Sequence, residues 1–313
     1  MVVCSNQSIL GTIGGGRVEA EVIRAATGVF EKARAQIRTF ELQGPLGGGV
    51  DMICGGRMEI LLGHVEANAG NLEFFQTLRT AVKERRQCLL VTALGSSGKG
   101  PEQMRLSLVL GEDSVHGDFP YPASWLAALK EQAAGQRGPV IGVVQDQRFL
   151  VEPCVVPPTV FLFGAGHVSQ QVAALTQRVG FHTVVLDDRL EYANQERFPA
   201  SDDVIVLGSF DNAFQGLEIG ADSYLVIVTR GHSHDKTVLA QALRTRAGYI
   251  GMMGSQRKRD TLYESLIQEG FRREDLQRVH CPIGLKIGAE SPEEIAVSIV
   301  AELILVRSEA GPP

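Results

Sequence analysis

The sequence predicts an α/β protein whose second half is a parallel, doubly wound sheet and whose first half is a mixed α/β domain. Three observations predict it. The apolar run Phe161-Leu162-Phe163 passes directly into Gly164-Ala165-Gly166 and then into a helical pattern. A second apolar run, Val184-Val185-Leu186, ends at Asp187 and Asp188, 23 and 24 residues after Gly164. Beyond it, strand and helix patterns alternate with short links. Strand, tight glycine turn, helix, strand and acidic residue is the order of a Rossmann unit, so the second half reads as Rossmann-like.

The first half opens as a hairpin: strand Met1–Cys4, turn Ser5-Asn6-Gln7 and returning strand Ile9–Ile13. Gly14-Gly15-Gly16 leads into a helix from Arg17 to Gln36, with Val18, Val22, Ala25, Ala26, Val29, Phe30 and Ala33 at helical spacing. A strand from Ile37 to Leu42, a glycine-rich loop from Gly44 to Gly49 and a strand from Met58 to Val65 follow. Leu72 to Arg85 reads as helix, Cys88 to Leu94 and Met104 to Leu110 as strands, and Ala123 to Ala134 as helix. Val140–Val144 and Arg148–Val151 read as a closing hairpin. Pro153, Pro157 and Pro158 mark a linker, which divides the chain into 1–152, a link at 153–158, and 159–313.

In the second half the strands are Val160–Phe163, Thr183–Leu186, Val204–Leu207, Tyr224–Val228 and Tyr249–Met252. The helices are Val168–Val179, Lys236–Arg246, Gln256–Gln268 and a last amphipathic one from Pro292 to Arg307. Its proline stands near the first turn, where proline is tolerated.

Composition narrows the function classes. The chain has 313 residues, enough for two cores, and a net charge of −6 with no Lys/Arg run, so nucleic-acid binding is not expected. No apolar run approaches the roughly 20 residues that span a bilayer, and no signal peptide is visible, which predicts a cytoplasmic protein. The five cysteines, Cys4, Cys54, Cys88, Cys154 and Cys281, form no CxxC pair, which argues against a disulfide framework and a structural zinc site. Cys88, Cys154 and Cys281 read as packing residues.

Gly164 and Gly166 would let backbone N–H groups approach a phosphate at a helix start, with Asp187 or Asp188 on a ribose hydroxyl. Ser169 stands at the third glycine position, and His167 sits inside the turn, where a dinucleotide has no need of it. A Rossmann scaffold with no dinucleotide, or with another phosphate ligand, therefore stays open beside NAD(P). The stretches from Thr229 to Asp235 and from Gly254 to Arg259 follow strands, so His167, His232, His234, Asp235, Ser255, Arg257 and Arg259 are expected to converge on one crevice. They suit an anionic group; the histidines and Asp235 also suit a metal, or Asp235 simply caps a helix.

Cys54 lies in Ile53-Cys54-Gly55-Gly56-Arg57-Met58-Glu59. Glycines beside it open the backbone, and Arg57 favours a thiolate, a nucleophile and soft metal ligand. Gly14-Gly15-Gly16-Arg17-Val18-Glu19 repeats the pattern Gly-Gly-Arg-apolar-Glu, so two similar segments are expected to meet around one ligand.

Taken together, these segments resemble the XdhC/CoxI family, accessory proteins of xanthine dehydrogenase and related molybdenum hydroxylases. The resemblance rests on Gly11–Glu19, Ile53–Glu59, Phe163–Val168, Tyr249–Ser255 and Cys281–Ala296, in that order over nearly the whole length. It implies an XdhC/CoxI-type domain followed by a Rossmann domain. It also implies a cofactor chaperone rather than an enzyme: one that binds molybdenum cofactor, shelters it while a cysteine desulfurase installs its terminal sulfur, and delivers it to the apo-hydroxylase. The implied site is Gly14, Gly15, Gly16, Arg17, Glu19, Cys54, Gly55, Gly56, Arg57, Gly164, Gly166, His167, Asp187, Ser255 and Arg257, with Cys54 on the molybdenum. Members carry a Ser-x-Pro-Arg element before the Ile-Gly-Gly-Gly motif, so a stretch ahead of residue 1 is expected. Many carry Cys where this chain has Arg17, and some a doubled cysteine where it has Ile53-Cys54. The competing reading is an NAD(P)-dependent oxidoreductase; a third is a scaffold bridging hydroxylase and desulfurase. A homodimer sharing its ligand crevice suits the two-domain layout.

Overall fold

The computed structural model describes residues 1–41, 56–96, 100–101, 103–111, 114–136, 138–154 and 156–309. The chain divides into two units, Met1–Val156 and Pro157–Pro313, each with its own apolar clusters.

In the first unit β1 (Val2–Val3) and β2 (Ile9–Leu10) pair antiparallel, a shorter hairpin than the sequence suggests. Helix α1 (Gly16–Lys32) buries Val18, Val22, Ala26 and Val29, one face at 3.6-residue spacing. It stops at Ala33, which adopts the left-handed conformation (φ 50°), earlier than the Gln36 predicted. The early stop frees Gln36 to begin β3 (Gln36–Glu41), which pairs antiparallel with β4 (Arg57–Leu62). The buried face of α1 packs on Leu62, Ile60, Met58 and Phe40 of this ribbon.

Helix α2 (Ala69–Lys83) starts at Asn68, whose side chain accepts the Asn71 N–H at 2.8 Å. A five-stranded antiparallel sheet follows: β5 (Cys88–Ser96), β6 (Leu106–Leu110), β7 (Ser114–Gly117), β8 (Val140–Val144) and β9 (Gln147–Cys154), in the order β7-β6-β5-β9-β8. Helix α3 (Ala123–Ala133) covers one face, where Leu126, Leu129 and Ala133 meet Val91, Val109, Phe149 and Val151. On the other face Phe74 and Ala81 of α2 meet Cys88 and Leu108. The exposed strand β7 has no apolar alternation and leaves no mark in the sequence pattern. Pro153 lies within β9: its neighbour β8 pairs only as far as Val151, so past that point the absent proline N–H breaks no ladder bond on that side.

In the second unit β10 (Thr159–Phe163), β11 (His182–Asp187), β12 (Asp203–Val206), β13 (Ser223–Ile227), β14 (Tyr249–Met252) and β15 (Val279–His280) form one parallel sheet. The order β12-β11-β10-β13-β14-β15 is 3-2-1-4-5-6, the Rossmann arrangement predicted. Every residue of β10, β13 and β14 is buried, the signature of parallel strands covered on both faces. Alternate residues divide between two cores. Phe161, Phe163, Leu225 and Ile227 pack toward α5 (His232–Ala242) and α6 (Gln256–Gln268). Val160, Leu162, Tyr224 and Val226 pack toward α4 (His167–Arg178) and α8 (Pro292–Glu309). The short α7 (Arg273–Leu276) and β15 are additions to the predicted elements. No described helix is long and apolar enough to cross a membrane.

Candidate functional site

At the carboxyl ends of β10 and β13, on either side of the point where strand order reverses, two helices begin, one on each face of the sheet. Gly166 precedes α4 and Gly231 precedes α5, and neither start carries a side-chain cap. First-turn amides without a side-chain acceptor are the raw material of an anion site. Gly164 is required twice over: its φ is +114°, and an added Cβ would collide with the Val228 carbonyl. Ser169, buried on α4, donates to the Gly164 carbonyl at 2.5 Å and locks the turn to the helix. His167 is the exposed first residue of α4.

The acidic residue behaves differently from the ribose ligand its spacing suggests. Asp187 stands at the end of β11 as expected, but it is 1% exposed and its carboxylate is already engaged. Oδ2 accepts the Ala165 N–H at 2.9 Å and Arg189 Nη2 at 3.0 Å; Oδ1 accepts Arg189 Nε at 2.8 Å and the Arg189 N–H at 3.1 Å. Burial works to raise this carboxyl, but the hydrogen bonds from Arg189 and Ala165 win and hold it below its ordinary value. Arg189 in turn stacks 3.7 Å over the Tyr192 ring. Asp188, the other candidate, is held bidentately by Arg230 at 2.5 and 2.9 Å. Sequence reasoning missed Arg189 and Arg230. The Asp-x-Arg spacing was the available signal for Arg189, because side chains two apart at a strand end share a face.

Helix α5 begins at His232, four residues before the predicted Lys236, since Gly231 and not Asp235 is its cap. Asp235 falls inside the first turn, buried, where it accepts Thr229 Oγ1 at 2.7 Å and pairs with Lys258, whose Nζ also donates to the Met253 carbonyl at 3.0 Å. His232 and His234 therefore sit on a helix, where residues two apart do not face each other. His234 packs on the Phe210 ring at 5.0 Å between centroids. Among the described residues no group of three or more His, Cys, Asp or Glu is placed to hold a metal. Ser255 caps α6, its Oγ accepting the Lys258 N–H at 3.2 Å. Arg257 projects from the first turn of α6, exposed, and Arg259 bonds the Cys281 carbonyl at 3.2 Å.

In the first unit the structure places the apolar members of the two Gly-Gly-Arg-apolar-Glu segments in one cluster. Val18 and Met58, the apolar member of each, pack in one cluster with Ile13. Gly14, Gly15 and Gly16 have φ of 111°, 74° and 65°, and nothing lies within 4 Å of where their Cβ atoms would be. The turn is thus both left-handed and open. Gly15 gives α1 no side-chain cap. Glu19 closes the turn from behind: it accepts Thr12 Oγ1 at 2.5 Å and the Ile13 N–H at 3.1 Å, bonds that hold its carboxyl below the ordinary range. Arg17 pairs with Glu21 at 2.6 Å, and Arg57 and Arg148 both reach Glu59, at 2.8 and 2.7 Å. Arg148, the nearer partner, leads in lowering the Glu59 carboxyl. Gly56 has φ +139°. Cys54 and Gly55 lie outside the described residues, as does the glycine stretch Gly47–Gly49. The side chains of Arg17 and Arg57 are 74% and 61% exposed, so each can exchange a weak surface pair for an incoming anion.

Comparison with known proteins follows the same division. The family model for the XdhC Rossmann domain matches residues 160–303, and that of the XdhC and CoxI family matches residues 1–41, together more than half of the chain. A relative from Bacillus subtilis (strain 168), named as a probable xanthine dehydrogenase subunit, is 26% identical over 304 residues, covering 96% of this chain and 86% of the relative. The uncharacterised protein YqeB of Escherichia coli (strain K12) is 34% identical over 153 residues, 49% of this chain but only 28% of YqeB. The molybdenum cofactor insertion chaperone PaoD of the same organism is 23% identical over 155 residues, 50% of this chain and 41% of PaoD. A crystal structure of a xanthine dehydrogenase from Bacillus halodurans shares the fold, with TM-score 0.79 over 97% of this chain and 84% of that one, at 22% identity.

Proposed function

This chain belongs to the XdhC and CoxI family, and from that premise we propose that it is a molybdenum-cofactor chaperone: it binds the cofactor, supports its sulfuration by a cysteine desulfurase, and inserts it into xanthine dehydrogenase or a related molybdenum hydroxylase. The observation that carries this reading is the similarity of half the chain to a protein named for molybdenum cofactor insertion. The residues fit such a group. The Gly14–Gly16 turn leaves open space at the start of α1, which has no side-chain cap, and the exposed Arg17 and Arg57 offer charge-assisted donors to a phosphate there. Cys54, three residues before Arg57, is the soft donor we assign to the metal. When bound, the cofactor supplies the redox-active metal of the target enzyme; the chain's residues hold and orient it.

The nicotinamide reading has less support. Its ribose ligand would be Asp187, whose two oxygens already accept four hydrogen bonds in a buried setting. The uncapped starts of α4 and α5 still suit an anionic group. The test is reconstitution: apo-xanthine dehydrogenase given molybdenum cofactor and sulfide should regain more activity with this chain than without it. Equal recovery in both arms would refute the chaperone reading.

A further inference from the structure

Two of the cysteines that read as packing residues meet. Cys88 opens β5 and Cys154 closes β9, and they are direct partners in the antiparallel register of these adjacent strands. Directly opposed residues in such a ladder have Cα atoms about 4.5–5.5 Å apart, inside the window of about 4.4–6.8 Å that a disulfide bridges. Their side chains lie on one face, in the apolar cluster of Phe74, Ala81 and Leu108. Both thiols are free. Among the described residues the other cysteines lie elsewhere: Cys4 follows β1, and Cys281 is in the second unit.

We propose that Cys88 and Cys154 are a redox-modification site, forming a reversible cross-strand disulfide when the chain meets hydrogen peroxide. Cys154 is the half-exposed member and takes the first hit. Its sulfur attacks the peroxide O–O bond, giving a sulfenic acid and one water. The Cys88 sulfur then displaces the hydroxyl, forming the S–S bond and releasing a second water. The two thiols lose two protons and two electrons, and one peroxide takes them up to become two waters. Cys88 is the buried member, so peroxide reaches it last and it serves as the resolving partner, giving up its proton as it attacks the Cys154 sulfur. The bridge would staple the last rung of β9 to β5, two residues before the boundary between the units at Val156. Cross-strand bridges carry strain and are readily reduced, so a dithiol reductant should reopen this one.

The test uses the full chain, with all five cysteines present. It is treated with an equimolar amount of peroxide, alkylated with iodoacetamide, digested without reductant and mapped by mass spectrometry. The expected product is one peptide pair joining Cys88 to Cys154, lighter by two hydrogens than its reduced parts and lost on adding dithiothreitol. Recovery of both residues alkylated, or of Cys154 joined to Cys4 or Cys54, would overturn the proposal. The Cys88→Ser variant supplies a second readout: Cys154 sulfenic acid should then persist and be trapped by dimedone, whereas the parent chain gives little adduct. Equal dimedone labelling of Cys154 in both proteins would count against Cys88 as the resolving thiol.

Discussion

Two glycine turns start two helices in this chain, and they are built in opposite ways. At Gly164–Gly166 the turn is closed from inside: Asp187 holds the Ala165 amide, Arg189 fills the carboxylate, and Ser169 ties down Gly164. At Gly14–Gly16 the brace is a surface one: Glu19 holds Thr12 and Ile13, Thr12 Oγ1 accepts the Gly14 N–H at 3.0 Å, and the flanking arginines lie in water on surface carboxylates. The difference teaches that a glycine motif alone does not declare a ligand. The first turn derives its rigidity from the Asp187–Arg189 pair and loses its ribose acceptor in doing so. The second stays open and keeps exchangeable charge.

The sharpest way to break this contrast is Asp187→Ala. It leaves the Arg189 guanidinium, 24% exposed, and the Ala165 amide without their acceptor. The expected loss is about 3 kcal/mol of unfolding free energy by urea denaturation followed by circular dichroism. A ribose ligand with no structural duty would leave stability unchanged.

Gly164→Ala and Gly14→Ala come next. The two positions share nearly the same φ, +114° and +111°, but only the first would press a Cβ into the Val228 carbonyl. Gly164→Ala should lower stability by at least about 2 kcal/mol, and Gly14→Ala by about 1 kcal/mol, the backbone term alone. Equal losses would mean that the first turn relaxes as freely as the second.

Acid sharpens the comparison further. The Asp187 carboxyl is held below its ordinary value in the folded chain, so its stabilisation is complete above the unfolded pKa of about 3.9 and is lost as pH falls through the folded value. The urea midpoint should therefore fall on going from pH 5 into this range, and the Asp187→Asn variant should show a flatter dependence. The smallest stability effect belongs to Arg57→Ala. Its pair with Glu59 lies at the surface and Arg148 still holds that carboxylate, so the loss should be within about 0.5 kcal/mol while cofactor binding weakens. Unweakened binding would remove Arg57 from the site.

Much of the Rossmann half was legible because parallel strands buried on both faces write themselves as unbroken apolar runs; Tyr249–Met252 matches to the residue. Strand β7 is exposed along its length and β15 is two residues long, so neither leaves a pattern. The start of α5 was misplaced because His232-Ser233-His234 looks like a polar loop; Asp235 sits in the helix because Lys258, 23 residues on, neutralises it. Long-range partners of that kind have no local signature. The two Gly-Gly-Arg segments were legible as a repeat, and their apolar members Val18 and Met58 share one cluster.

The most direct test of the chaperone account is an anaerobic titration of purified molybdenum cofactor onto the full chain and onto its Cys54→Ser variant. The account predicts tight binding by the parent chain that is lost in the variant. Equal binding by both, or none by the parent, would contradict it.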